Sequence, residues 1–436
     1  MCARHRVGSG AALEPEAPPP RASRPTTAAP DEAARHTRAE VNLAHVRHNL
    51  RELEACLGSV AAAAHGCTPE RTPQIWAVLK ADGYGHGGRA IATTLERAGV
   101  RGLCVALLEE GIELREAGVR CPILVMGGYY GRQRDGIENL VAHDLTPVVY
   151  DAGQIETIAS TLRYLRDIGG LAPGRERYRV HLKIDTGMGR LGVPDGELGA
   201  VLEALRAERE IELDGLMTHL ACADADSLAA TEHQLDRFAR GCQRVAQAGL
   251  RPKLRHAANS AALLRLPHAH LEVVRPGIAL FGVHPCEGRS SLVPRAPHLR
   301  PVMRVLTEVV ALRNLGAGES LGYGHTWRTE RPCRIATVPV GYADGLSRAL
   351  SNRGALLVGG RRAPIVGTVS MDLTMLDVTD IPGVRVRDEV VVLGEQRGPH
   401  GTDEITATEV AGLTSSIAWE VLTSISRRVP RFYRHG

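Results

Sequence analysis

Residues 74–88 read QIWAVLKADGYGHGG. Ile75 to Leu79 form an apolar run of the length of a buried strand, and it stops at Lys80 before a glycine-rich stretch suited to a tight turn. Further along the chain, similar runs recur as LCVAL (103–107), PILVM (122–126), TPVVY (146–150), RVHLKI (179–184), DGLMTHL (214–220), LRHAA (254–258) and LEVVR (271–275). Amphipathic stretches lie between them, including ALLEEGIELREAG (106–118), ELGAVLEALRAE (197–208) and ATEHQLDRFARGCQRVAQAG (230–249). Eight strands alternating with helices over about 240 residues match the size of an α/β (β/α)8 TIM-type barrel. A doubly wound open sheet is the alternative arrangement of the same elements.

The flanks complete the organisation. The chain has 436 residues, 44% hydrophobic and 23% charged, enough for two domains with sizeable cores. Residues 1–36 are rich in Pro, Ala and mixed charge without an apolar signal core, so they read as a disordered leader. The barrel is expected over 37–296. After it come PVMRVLTEVVALRNL, CRIATVPVG, ALLVGG, PIVGTVS, LTMLDV and EVVVLG with only short gaps, so 297–436 reads as a mainly antiparallel β domain. No apolar run reaches membrane-spanning length, and a net charge of +4 with no basic block argues against nucleic acid and membrane as partners. Nine cysteines, none in a C-x-x-C spacing, suggest neither a metal site nor a disulfide framework and fit a reducing cytoplasm.

The reactive residues gather at the ends of the expected strands. Lys80 ends the first strand (QIWAVLK, 74–80), Arg190 follows the fifth, His219 closes the sixth, Asn259 and Ser260 follow the seventh, and Arg275-Pro276-Gly277 follow the eighth. Barrels place their active sites at these ends and hold phosphate in the loops after strands seven and eight. Ser260 with Gly277 and Ile278 supplies a hydroxyl and backbone N–H groups there. Only three residues are lysines, Lys80, Lys183 and Lys253, against fifty arginines. An amine can lose its proton where a guanidinium cannot, and a desolvated lysine becomes a nucleophile toward aldehydes. A phosphate-bearing aldehyde cofactor facing a lysine is pyridoxal 5′-phosphate.

At this point the residues resemble a known family. AVLKADGYGHGG (77–88) is similar to the cofactor-attachment motif of alanine racemases, pyridoxal-phosphate-dependent enzymes. The likeness continues through HLKIDTGMGRLG (181–192), MTHLACAD (217–224), HAANSAA (256–262), VRPGIALFG (274–282), LGYGHTW (321–327), VGYADG (340–345), SMDLT (370–374) and RRVPRFY (427–433). The resemblance implies that Lys80 carries the cofactor and serves as acid/base on one face of the substrate. Tyr323 would serve the other face from the second domain of a partner chain, in a homodimer with shared active sites. It also implies that His219 supports Tyr323, that Arg275 faces the pyridine nitrogen, and that Arg190 holds the cofactor's phenolic oxygen and the substrate carboxylate. Tyr84, Asn259, Ser260, Gly277 and Ile278 would surround the cofactor; Met371, Asp372 and Tyr342 would line the substrate side. Lys183 matches a lysine that some members carry as a carbamate; an unmodified lysine paired with Asp185 is the other reading.

Several positions depart from that pattern. Trp419 stands where a tyrosine usually meets the phosphate, Thr368 and Ser370 where an arginine and a cysteine are common, and Phe281 for a common tyrosine. Cys222 is unusual too, whereas Tyr342, Arg348 and Asp224 match. The implied activity is interconversion of L- and D-alanine, supplying D-alanine for peptidoglycan. The alternatives are a racemase of another small amino acid such as serine, or a non-catalytic pyridoxal-phosphate-binding protein.

Overall fold

The computed structural model describes residues 36–64, 72–128, 134–171, 177–286, 293 and 296–435. The expected leader lies, apart from His36, outside them. The first strand, β1 (Arg38–Asn42), is followed by the helix Leu43–Ala64 and then by eight short strands. These are β2 (Gln74–Val78), β3 (Gly102–Val105), β4 (Ile123–Val125), β5 (Thr146–Val149), β6 (Tyr178–Lys183), β7 (Ile211–Met217), β8 (Leu254–His256) and β9 (Val273–Val274). Each falls inside or overlaps one of the apolar runs of the sequence. They pair in parallel in the order β8-β7-β6-β5-β4-β3-β2-β9. Between β8 and β9 the Arg275 N–H donates to the Ala258 carbonyl at 2.9 Å, bringing the cylinder nearly to closure. The open-sheet alternative is thereby set aside.

Local chemistry sets the details. The helix Ala152–Asp167 starts at Asp151, whose carboxylate accepts the Gln154 N–H at 2.8 Å. Large side chains inside the barrel need small neighbours: a Cβ on Gly102 would come within 2.6 Å of the Trp76 ring, and one on Gly215 within 2.6 Å of His181.

Beyond the barrel the sheets are mainly antiparallel, as expected. The strand β10 (Met303–Glu308) pairs antiparallel with Glu389–Gly398, and Ala311–Leu315 belongs to a separate three-stranded sheet with Cys333–Val338 and Thr374–Asp377. Two helices the strand pattern did not suggest, Ala407–Thr414 and Ala418–Ser424, pack on this part. The boundary at residue 37 is less simple in space than in sequence. β1 pairs antiparallel with β10 and parallel with Arg431–Arg434, so it joins the second part's sheet while standing before the barrel in sequence. A single apolar core runs from the barrel strands into that sheet. Among the described residues no helix is long and apolar enough to cross a membrane.

Candidate active site

Lys80 stands two residues beyond β2, at the start of an unusual turn. Ala81, Asp82, Gly83 and Tyr84 have φ of 53°, 54°, 61° and 53°, and the Gly83 and Gly85 N–H groups bond the Leu79 and Ala81 carbonyls at 2.9 Å. This is one turn of left-handed helix, costing roughly 1–2 kcal/mol for each residue that is not glycine. Neighbours hold it. Asp82 Oδ1 accepts the Gly88 N–H at 2.6 Å, and Glu110 Oε1 accepts that of Ala81 at 2.6 Å. The Arg431 guanidinium donates twice to the Gly85 carbonyl, at 3.1 and 3.0 Å. The helix Ala418–Ser424, which carries half-buried Trp419, presses on the same turn: a Cβ on Gly85 would lie 2.5 Å from the Leu422 carbonyl oxygen.

Around the barrel mouth, positive groups converge. Lys80 opens to solvent, yet protein around its ammonium lowers its pKa; nearby Arg190 lowers it further, and Glu110 opposes. Lys183, only 4% exposed, is pushed down to about 8, first by burial and then by Arg190 and Arg275. Its expected partner Asp185 is engaged elsewhere, its carboxylate accepting the N–H groups of Gly187, Met188 and Gly189 at 2.9–3.2 Å. Burial, followed by Arg275, Lys183, Arg190 and Lys80, drops His219 to about 3, so the ring stays neutral. Four cationic side chains acting on one ring, two of them buried, concentrate positive charge at these strand ends, which suits an anionic ligand.

Arg275 is 3% exposed and is aimed by what it donates to. Nη2 bonds the carbonyls of Thr218 and Ala257 at 2.8 and 3.2 Å, and Nη1 bonds His256 Nδ1 at 2.6 Å. A guanidinium only donates, so His256 Nδ1 must accept and its Nε2 must carry the hydrogen. That hydrogen points to His181 Nδ1, 2.8 Å away, and leaves His181 Nε2–H facing Asp214 Oδ2 at 3.9 Å, too far for a hydrogen bond. Burial lowers the pKa of both rings and keeps them neutral.

Near the last strands, Ser260 Oγ accepts the Gly277 N–H at 2.9 Å, and a Cβ on Gly277 would lie 2.3 Å from the Tyr84 hydroxyl. Tyr84 is 5% exposed with its ring 4.9 Å from that of Phe281, and Ile278 begins the short turn Ile278–Phe281. Asn259 caps the helix Ser260–Arg265 through its side chain, accepting the Ala262 N–H at 3.0 Å. A phosphate fits this floor: a glycine approached closely by a phenol, a buried hydroxyl and backbone N–H groups, with cations above.

The remaining expected residues lie elsewhere. Tyr323 is 74% exposed, Met371 51% and Tyr342 43%. Backbone bonds from Tyr342 and Ala343 to the carbonyls of Ser370 and Met371 tie two of these loops together, and Thr368 Oγ1 donates to the Tyr323 carbonyl. Asp372 pairs with Arg428 at 2.7 Å. This patch projects from the second part, and Tyr323 is not packed into the barrel of its own chain.

Residues 41–285 match the family described as "Alanine racemase, N-terminal domain", and residues 302–433 match "Alanine racemase, C-terminal domain". The chain belongs to the alanine racemase family. It is 62% identical over 400 residues to an "Alanine racemase" of Sorangium cellulosum, covering 92% of this chain and 99% of that one. An "Alanine racemase" of Symbiobacterium thermophilum is 43% identical over 399 residues, covering 92% and 97%. Among solved structures, the Clostridium difficile alanine racemase in complex with cycloserine aligns with TM-score 0.78 at 30% identity, covering 93% and 97%. The Bacillus anthracis alanine racemase with bound L-Ala-P gives TM-score 0.78 at 32% identity, covering 93% and 96%. The chain is thus an amino-acid racemase, an isomerase on a TIM-type barrel. Sequence reasoning did not single out Glu110, His181, His256 or Gln234, which bonds the His219 carbonyl at 3.1 Å and Thr186 at 3.2 Å. All four lay inside quoted segments, but nothing in a sequence tells which neighbour a buried polar side chain will meet.

Proposed function

We infer that the protein interconverts L- and D-alanine with pyridoxal 5′-phosphate, in the cytoplasm, as a homodimer that supplies D-alanine for peptidoglycan. The observation that carries this is that Lys80, Lys183, Arg190 and Arg275 all act on buried His219 at the strand ends that also carry Tyr84, Ser260 and Gly277. Pyridoxal phosphate there supplies an electron sink that acidifies the substrate Cα–H. The chain's own residues do the rest. The Lys80 amine would hold the cofactor and move the α-proton on one face, helped by surroundings that lower its pKa, first by desolvation and then through Arg190. Arg190, exposed beside it, takes the substrate carboxylate. Tyr84, the Ser260 hydroxyl and the Ile278 N–H would receive the phosphate, with Gly277, Trp419 and Asn259 beside them. Arg275, fixed by neutral His256, keeps a positive charge against the pyridine nitrogen and so disfavours protonation there.

Racemisation needs an acid/base group on each face of the substrate α-carbon, and Tyr323 is 74% exposed on its own chain. The exposed Tyr323 enters the site of a second copy, where neutral His219 supports its hydroxyl, and Met371, Asp372 and Tyr342 close the substrate side. L-Ala-P and cycloserine, bound by the Bacillus and Clostridium relatives, fit an amino-acid-sized substrate here as well. Cys104, Cys121, Cys222, Cys242 and Cys333 are free thiols, in keeping with a reducing compartment. The test is to incubate purified protein separately with L-alanine and L-serine and measure the D-enantiomer. D-Alanine formed fastest supports the reading; D-serine alone overturns the substrate. Wild type should also show an absorbance band that borohydride fixes to Lys80. Lys80→Arg should lack it, and a persisting band removes Lys80 from its role.

A further inference from the structure

Glu110 lies in the first turn of the helix Leu108–Glu116, whose capping position is occupied by Leu107, a residue with no polar side chain. Glu110 Oε2 compensates by accepting the N–H groups of Ala106 and Leu107 at 2.8 and 3.1 Å. A capping glutamate needs no more than this. Its second oxygen leaves the helix and accepts the Ala81 N–H at 2.6 Å, directly after Lys80 and at the start of the left-handed turn.

We propose that Glu110 is a positioning residue for Lys80: one carboxylate joins the left-handed turn to the β3–helix loop and sets a fixed negative charge beside the amine. The turn is intrinsically unfavourable for Ala81, Asp82 and Tyr84, so it persists only where its surroundings over-determine it. Asp82 and Arg431 hold its far end; Glu110 holds the end that carries Lys80. The charge matters because the other charged group acting on Lys80, Arg190, is cationic. Arg190 acts on it directly, with His219, Lys183 and Arg275 behind. On the Glu110 side, Asp82, Glu109, Glu113, Arg427 and Arg431 line the adjoining cleft, and Tyr84 lies within reach of the carboxylate. Without Glu110 the Lys80 amine would be held neutral over a wider pH range, and the capacity to hold a proton on that face of the substrate would fall.

The proposal rests on the reading of Lys80 as the functional amine, and its test does not use turnover. Three lysines make trace acetylation of the cofactor-free full chain readable residue by residue by mass spectrometry across a pH series, with exposed Lys253 as reference. Glu110→Gln keeps the size of the side chain and, through its one amide oxygen, the cap on Ala106 and Leu107, and it removes both the charge and the acceptor for the Ala81 N–H. The expected result is that Lys80 titrates at lower pH than in wild type; a midpoint lower by one pH unit raises the free-amine fraction near neutrality about ten-fold. A cap without the proposed role gives the opposite sign: a loosened turn admits water and moves Lys80 upward, or nothing changes. Either result overturns the proposal while leaving the absorbance test of Lys80 intact. Glu110→Asp keeps the charge but shortens the reach, so amide exchange at Ala81 should accelerate several-fold. Unchanged exchange there removes the pinning role.

Discussion

Replacing Gly277 by alanine asks whether the floor of the mouth is as tightly built as its distances say. The new Cβ would stand 2.3 Å from the Tyr84 hydroxyl oxygen and 3.0 Å from Cζ. Relaxing that to an ordinary contact near 3.5 Å requires the phenol to retreat by about 1 Å. It has nowhere to go, since Tyr84 is 5% exposed and backs onto Phe281, itself 1% exposed. The Gly277 φ of −117° lies outside the left-handed region, so contact is tested and not backbone strain. Overpacking of this kind costs about 1–3 kcal/mol. Withdrawing the hydroxyl from a charged phosphate costs about 1.5–3 kcal/mol more, a ten- to hundred-fold weaker cofactor complex. Thermal unfolding of the cofactor-free protein reads the first effect, and titration with pyridoxal phosphate the second. Tyr84→Phe removes the clashing oxygen, so the double variant should regain most of the stability and none of the affinity. The reasoning fails if Gly277→Ala leaves both quantities unaltered, or if Tyr84→Phe does not rescue stability.

Mixing inactive Lys80→Ala and Tyr323→Phe chains should restore part of the activity, because one site of each mixed dimer regains both groups; verified heterodimers without activity would place the site within one chain. His219 titrates at about 3 in the folded protein against 6.5 unfolded, so its contribution to stability is complete above 6.5 and is lost as pH falls toward 3. Urea midpoints of the cofactor-free protein should fall across that window, and His219→Gln should flatten the decline; an identical slope in the variant would discount His219. Lys183, buried with a pKa of about 8 and its neighbour Asp185 committed to backbone N–H groups, is set to take up carbon dioxide as a carbamate. Protein in 13C-bicarbonate should show a carbamate resonance that Lys183→Arg removes and Lys253→Arg does not; its absence from wild type leaves Lys183 an unmodified amine.

What could be read beforehand followed from short-range rules. The strands of the barrel are buried on both faces, so each is an unbroken apolar run that stands out against amphipathic helices. Lys80, ending such a run in a chain nearly without lysine, stood out as well. The left-handed turn was not legible, because Ala81, Asp82 and Tyr84 carry no local preference strong enough for it and it exists only through Glu110, Asp82 and Arg431. The placement of β1 in the distant sheet was equally hidden, since a five-residue strand does not name its partner. The line from Arg275 to Asp214 needed the barrel closed before its histidines could be seen to meet. In the second part, the turn-length gaps suited antiparallel strands, while Ala407–Thr414 and Ala418–Ser424 were too short to show a helical period.

The pairing of β1 with both β10 and Arg431–Arg434 has a consequence for biosynthesis. Arg431 reaches the Gly85 carbonyl from 346 residues downstream, and a Cβ on Gly87 would run into the Tyr433 hydroxyl. During translation the barrel strands can assemble as they emerge, but the turn that bears Lys80 waits for residues made long after it. A nascent chain arrested before Arg431 therefore presents an open sheet edge along β1 and a Lys80 turn without its Arg431 support.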